Sequence, residues 1–308
     1  MEVTSGTRWC CLIASTLFST IASIAQAAYT PPPPKPPANA QAENSGTALS
    51  EITVEADRGT IKQSVVAFAF HVTQKWDVDD SFARWLVPLC PLVAGLPQAP
   101  AEFVLERISM IAKEAGVPLA DADCRPNLYV VITSQPVAFL KAWRRRDGNL
   151  FGNAFPAMIK RFLDSTRPIS VWYNDELVST FDPTPSTITI IGGGQTQYQG
   201  FKSKGSRVQF NTVTGISSAM VIVDANKVNG FEIHPIADYV AMVGLLEVNL
   251  NADLGRAPSV LHLFEAPERT TGLSAWDQAF LKALYQTDQS SRSQVAAIAE
   301  SMMQDLAH

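Results

Sequence analysis

The stretch SAMVIVDANKVNGFEIHPIADYVAMVGLLE, residues 218–247, contains a strand and a helix in direct succession. Residues 218–223 are small or apolar without interruption and end at Asp224, which predicts a buried strand. Residues 232–247 then place apolar side chains at helical spacing, which predicts a long helix. A buried strand followed by a long apolar helix is typical of a domain in which helices cover a sheet.

Both kinds of element recur on either side of this stretch. Alternating or continuous apolar residues predict further strands at 51–56, 127–133, 168–173 and 186–191. Helical spacing predicts further helices at 61–72, 103–112, 136–146, 274–286 and 291–306. Because helices precede and follow a central set of strands, the predicted fold class is α+β, with a central mixed sheet and flanking helices.

Three segments of the C-terminal part together resemble a protease family. Residues 237–247, ADYVAMVGLLE, resemble in their frame the HExxHxxGxxH helix of the metzincin-type zinc proteases, with the glycine at Gly244. PSVL at 258–261 resembles the serine-x-methionine turn beneath their metal, and LSAWD at 273–277, continued by ALY at 283–285, resembles their closing helix. The resemblance covers about residues 215–286 and implies a metzincin- or zincin-like C-terminal helical part.

The chain departs from the protease pattern at the metal ligands. In the active pattern two histidines four residues apart bind zinc, and the glutamate between them activates water. Here Ala237 and Ala241 occupy the histidine positions, and Asp238 occupies the glutamate position. Glu247 stands at the third ligand position, and Leu261 replaces the methionine. Because a catalytic zinc ion ordinarily needs three protein ligands, the resemblance implies a catalytically silent frame with no metal and no other cofactor.

The same helix also has a purely structural interpretation. Ala237, Ala241 and Gly244 form an i, i+4, i+7 stripe of small side chains on one helix face. Such a stripe permits a neighbouring strand or helix to approach closely. An amphipathic helix of this kind also occurs in α+β proteins that are unrelated to proteases, and that alternative stays open.

A non-standard metal site is a further alternative. His234 and Asp238 are four residues apart and could share a helix face, and His262 could supply a third ligand. With these three ligands the chain would be an active envelope hydrolase related to metallopeptidases.

The N-terminal 27 residues are typical of a secretory signal peptide. Residues 9–25 carry no charge, and Ala25-Gln26-Ala27 has the small-x-small pattern that signal peptidase cleaves. We therefore expect cleavage after Ala27 and a periplasmic or secreted protein, and an uncleaved anchor is the alternative. No second apolar run is long enough to cross a bilayer, so no transmembrane segment is expected in the mature chain. Residues 28–50 form a proline-rich linker, and 51–308 are predicted to form a single α+β domain.

Cys90 and Cys124 are the two cysteines of the expected mature chain. An even pair in an oxidising compartment predicts a disulfide, and two buried free thiols are the alternative. Neither cysteine belongs to a CxxC pair, which disfavours redox catalysis and thiolate zinc binding.

The charge of the chain disfavours nucleic acid as a partner. Lys and Arg number 24 against 29 Asp and Glu, for a net charge of −5, so no basic excess exists to hold a phosphate backbone. The cluster Arg144–Arg146 is predicted to end a helix, where cations meet the helix dipole. Binding of anionic lipid or polysaccharide by this cluster is the alternative.

The expected function is that of a secreted or periplasmic, non-catalytic, protease-like protein. It would bind or scaffold an envelope or extracellular protein or a polysaccharide. The active envelope hydrolase is one alternative. A carbohydrate- or peptide-binding module is another, working through residues 195–206, where Tyr198, Phe201 and three glutamines accompany two glycines.

Overall fold

A computed structural model describes residues 58–73, 81–180, 190–191, 195–196 and 209–307. All of them belong to one unit, residues 54–308. The predicted signal peptide with Ala25 and Ala27, the proline-rich linker and the predicted strand at 51–56 lie outside the described residues. The same holds for most of the loop 195–206 and of the predicted strand 186–191.

The described part of the chain contains seven strands and seven α-helices. Its strands are β1 (Arg84–Trp85), β2 (Pro91–Ala94), β3 (Leu128–Thr133), β4 (Ile169–Ser179), β5 (Ile190–Ile191), β6 (Gln195–Thr196) and β7 (Thr212–Asp224). Its helices are α1 (Arg58–His71), α2 (Gln98–Ala115), α3 (Pro136–Arg146), α4 (Pro156–Leu163), α5 (Ile233–Leu245), α6 (Ala275–Gln286) and α7 (Gln294–Asp305). The helices predicted from apolar spacing are thus confirmed with shifts at their ends, whereas β1, β2 and α4 are too short to have produced a pattern.

The main sheet is built around β7, which contains the predicted strand 218–223. Its order is β2-β3-β7-β4, and β1 pairs with the first half of β7 on the same side as β3. The pairs β1–β7, β2–β3 and β3–β7 are parallel, and β4 runs antiparallel to β7 along the edge. The fold is therefore mixed α/β, with a largely parallel sheet and one antiparallel edge strand.

Helices cover both faces of this sheet. Along β7, Ala219, Val221 and Val223 point into one core, which α1, α2, α5, α6 and α7 close. The alternate residues Met220 and Ile222 point into a second core, which α3 and α4 close. Successive strand residues face opposite sides, so the uninterrupted apolar run of β7 reflects burial on both faces. The result is a layered structure in which α5 lies directly beneath the sheet.

The cysteine pair links β2 to the chain that leads into β3. Cys90 and Cys124 lie at disulfide distance, with their Cα atoms 6.1 Å apart. Asn127 fixes the same corner, because its Oδ1 accepts from the Cys90 amide at 2.7 Å. None of the helices described is both long and apolar enough to span a membrane.

Candidate functional site

Helix α5 carries the positions that the protease resemblance singles out, and almost all of it is buried. Ala237 and Ala241 have no solvent exposure and lie within the main core. Gly244 lies inside the helix, and a Cβ atom at this position would stand 3.1 Å from Cδ2 of Leu128. Gly244 therefore leaves room for the Leu128 side chain of β3 against the helix. Methyl groups offer no lone pair, so neither alanine could bind a metal.

Asp238 is buried completely, and protein donors occupy both of its carboxylate oxygens. The Arg107 Nε donates to Oδ1, and Arg107 Nη2 donates to Oδ2 at 3.0 Å. The backbone N–H of Leu273 also donates to Oδ2, at 2.7 Å. The hydrogen bond to Asp238 raises the pKa of Arg107 above its usual value, which keeps the guanidinium charged. Asp238 of α5 thus forms a bidentate ion pair with Arg107 of α2.

The segment 271–274 crosses directly over Asp238, and this crossing depends on glycine. A Cβ atom on Gly272 would lie 2.6 Å from Oδ2 of Asp238 and 3.0 Å from Cε1 of His234. Both distances are too short for a methyl group, so a side chain here would push the segment off the helix. His234 lies at the same crossing, with Nδ1 3.3 Å from the carbonyl oxygen of Thr271. Asp238 therefore anchors the segment 271–274 to α5 through the Leu273 amide.

The C-terminal end of α5 is capped by aromatic side chains from other elements. The last backbone carbonyls of a helix have no partner inside the helix, so they need hydrogen-bond donors from outside it. The Tyr173 OH donates to Val243 O at 2.7 Å, Trp85 Nε1 to Gly244 O at 2.9 Å, and Tyr285 OH to Leu245 O at 2.5 Å. The chain then continues in extended conformation from Leu246, and Glu247 is buried just beyond the helix.

Asp277 is a second buried carboxylate that organises the same region. It accepts from Ser259 Oγ at 2.7 Å and from the Val260 amide at 2.8 Å. It also accepts from both the amide and the hydroxyl of Ser274 at 2.9 Å. The Asp277 amide in turn donates to Ser274 Oγ at 3.1 Å, which completes a capping box at the start of α6. Burial raises the pKa of Asp277, and these hydrogen bonds oppose the rise. The turn 258–261 and the helix α6 are joined through this one carboxylate.

A cleft of about 1290 Å³ opens beside these two anchored segments. Its walls are formed mainly by residues 249–259 and 261–274. Arg167 just before β4, Ile169 at the start of β4, and Tyr239 from α5 complete them. Its charged lining side chains are Arg167, Arg256, Arg269, Asp253 and Glu265. Hydrogen bonds to Asp238 and Asp277 fix the cleft wall at Leu273, Ser274 and Ser259. The cleft therefore has one rigid wall, and its lining is partly polar.

The structure does not assemble His234, Asp238 and His262 into a metal site. The described residues contain no group of three or more His, Cys, Asp or Glu side chains that could hold a metal ion. The oxygens of Asp238 already accept from Arg107 and the Leu273 amide. His262 instead has its Nδ1 3.2 Å from Oε2 of Glu265, along one wall of the cleft.

Two acidic or basic residues of this region were missed by sequence analysis. Arg107, the partner of Asp238, lies 131 residues away in the chain, and no motif marks it. Asp175 lies on β4 at a shift in its register with β7. Burial raises the pKa of Asp175 to about 7, and its Oδ1 has no hydrogen-bond partner within the described part of the chain. A carboxylate in an alternating strand is usually solvated, so nothing in the sequence indicated its burial.

Comparison with protein-family models, with curated proteins and with solved structures finds no match to the chain. The relation of residues 215–286 to the metzincins therefore stays a proposal. The function has to be inferred from the contacts described above.

Proposed function

We propose that this chain is a catalytically silent protein with a zinc-protease-like frame, which works as a binding or scaffold module in the periplasm or outside the cell. The observation that carries the proposal is the hydrogen bonding of the Asp238 carboxylate. The resemblance aligns this residue with the glutamate of the protease. Three hydrogen bonds from Arg107 and Leu273 occupy its oxygens. A general base needs a lone pair directed at water or substrate, and this carboxylate has a structural role instead.

The neighbouring positions support the absence of catalysis. Ala237 and Ala241 replace the metal ligands with methyl groups that are packed in the core. No rearrangement of these side chains could create a metal site, because they contain no donor atom. The positions that the resemblance aligns with the protease's catalytic residues are thus occupied by apolar packing and an ion pair.

Contacts between the segments that carry the resemblance support the protease-like frame. Ser259, from the turn-like segment, donates to Asp277, from the closing-helix segment. Tyr285, at the end of that helix, donates to Leu245 of α5. Three segments that resemble one family pattern in sequence are therefore in direct contact. These contacts are what we would expect if the chain kept the frame of a protease after losing its metal.

The cleft supports a binding function. Its volume of about 1290 Å³ exceeds what a small cofactor needs, and its lining mixes aromatic, charged and amide side chains. A peptide or an oligosaccharide would find both apolar and hydrogen-bonding partners there. The disulfide-distance pair Cys90 and Cys124 agrees with work in an oxidising compartment.

A peptidase assay tests the absence of catalysis. The chain is incubated with a mixture of fluorogenic peptides, with added Zn²⁺ and separately with a chelator. We expect the same background rate under both conditions and in Asp238→Asn. Cleavage that the chelator abolishes and Asp238→Asn reduces would overturn the proposal in favour of an active hydrolase.

A second experiment tests the cleft. Binding to an immobilised peptide library and to a panel of polysaccharides is compared for the chain, for Ala252→Trp in the cleft wall, and for Ala296→Trp at an exposed position of α7. Ligands held by the cleft should be lost in the first variant and kept in the second. An equal effect of both variants, or no retained ligand, would contradict a binding cleft.

A further inference from the structure

The outer surface of the layer formed by α3, the connection 147–155 and α4 is strongly basic. We call it the α3–α4 face. Within residues 136–164 six cations stand against two carboxylates, a local net charge of +4 in a chain whose total is −5. The six cations are Lys141, Arg144, Arg145, Arg146, Lys160 and Arg161, and all are exposed. The α3–α4 face is therefore positively charged, whereas the rest of the chain carries a net negative charge.

Few of these charges are neutralised within the protein. Lys160 pairs with Asp164, and the described residues provide no ion pair for the other five cations. The last turns of α3 and α4 contain five of the six, where the helix dipoles favour positive charge. The dipole thus accounts for their position along each helix. It does not account for apolar residues on the same face.

Three large apolar side chains are exposed beside the cations. Phe155 is 65 % exposed, Met158 43 % and Val137 41 %. Their neighbours Phe151 and Ile159 are buried in the second core, so the layer already has an apolar inner side. An exposed phenylalanine that precedes a helix ending in Lys and Arg gives the surface both an apolar and a cationic component.

We infer that the α3–α4 face docks on the surface of an anionic lipid bilayer. Lys and Arg side chains would contact lipid phosphates, and Phe155 and Met158 would enter the boundary between headgroups and acyl chains. An anionic polysaccharide would satisfy the cations but would offer no apolar phase for the exposed phenylalanine. The face is separate from the cleft, so this inference does not depend on the proposed function.

Vesicle partitioning tests the inference. The full chain is mixed with vesicles that contain phosphatidylglycerol and with vesicles of phosphatidylcholine alone, and the ratio of the two partition coefficients is measured. The apolar stretch 9–25 is present in every variant and contributes to both coefficients, so the ratio isolates the charge-dependent binding. We expect a ratio well above one that falls as salt is added.

The variants separate the two components of the surface. The triple variant R144Q/R145Q/R146Q should lower the ratio about a hundredfold. Phe155→Ser should lower partitioning into the anionic vesicles about tenfold. The matched control K62Q/K113Q/R125Q removes three exposed cations outside the face and should change the ratio much less. Circular dichroism of each variant checks that the fold is kept.

Two results would overturn the inference. One is a ratio near one, or a ratio that both triple variants lower equally, which would mean that only total charge matters. The other is tight binding to an anionic polysaccharide that depends on the three arginines but not on Phe155, together with no vesicle binding. That result would assign the face to a carbohydrate partner.

Discussion

Among single residues, Asp238 is the buried carboxylate that organises the contacts of α5. It is completely buried, while its partner Arg107 is about one-fifth exposed. Taking a carboxylate out of water is unfavourable unless a cation and hydrogen bonds compensate for it. Arg107 and the Leu273 amide provide that compensation. The ion pair therefore sets the relative position of α2, α5 and the loop 271–274.

Removal of the guanidinium should leave the carboxylate without compensation. We expect Arg107→Ala to lower the free energy of unfolding by about 3 kcal/mol, measured by urea denaturation. Arg125→Ala, at an exposed position, is the control and should change it by less than about 0.5 kcal/mol. Equal effects of the two substitutions would contradict a structural role for the Asp238 pair.

Asp175 should make stability depend on pH in a definite direction. Burial raises its pKa from 3.8 to about 7, so the folded protein binds this proton more tightly than the unfolded chain does. The free energy of unfolding should therefore fall as the pH rises from about 4 to 7. Urea midpoints across this range, compared with Asp175→Asn, measure the effect. A slope that is the same in both proteins would contradict it.

At the scale of elements, α5 is held at several points along its length. Gly244 packs against Leu128 of β3, and Asp238 pairs with Arg107 of α2. Tyr173, Trp85 and Tyr285 donate to its last carbonyls. A helix anchored in this way has little freedom to accept larger side chains. It is a supporting element for the cleft wall.

The alanine stripe gives a prediction for this element. Ala241→His places a large polar ring at a position without solvent exposure. Overpacking and an unpartnered ring nitrogen should together lower the free energy of unfolding by about 3 kcal/mol or more. Thermal denaturation with and without Zn²⁺ measures the loss, and zinc should not restore it, because the other ligands are missing. The exposed substitution Ala296→His serves as the control. Full rescue by zinc would mean that a latent metal site exists.

At the scale of the whole molecule, long periodic elements were predictable and short ones were not. Strand β7 and helices α2, α5 and α6 follow from apolar spacing sustained over many residues. Strands β1 and β2 span two and four residues and leave no comparable pattern. The largely parallel pairing also depends on contacts between distant strands, which local patterns do not record. The fold class was therefore predicted more coarsely than the individual elements.

The sequence likewise indicated some residues of the candidate site and not others. Ser259 and Asp277 lie in the two downstream segments of the protease resemblance, and they form a hydrogen bond of 2.7 Å. Arg107 could not be paired with Asp238, because no local rule connects residues 131 positions apart. The cleft was equally hidden, since its walls are loops without a regular pattern. Contacts between residues that are far apart in the chain could be identified only from the three-dimensional structure.

The disulfide should stabilise the whole fold. Cys90 and Cys124 enclose a loop of 34 residues, so the bond restricts the unfolded chain and should contribute about 3–4 kcal/mol. We expect a reductant to lower the urea midpoint of the chain and to leave that of the double variant C90A/C124A unchanged. Identical responses of the two proteins would show that the cysteines are not joined.

Zinc titration shows whether this chain holds a metal ion, because the alanines at 237 and 241 offer no ligand atoms and the oxygens of Asp238 already accept from Arg107 and the Leu273 amide. Calorimetry at neutral pH should show no stoichiometric binding, and His234→Ala and His262→Ala should behave like the unaltered chain. One equivalent of zinc per chain, lost in either histidine variant, would contradict the account and point to an active metal centre.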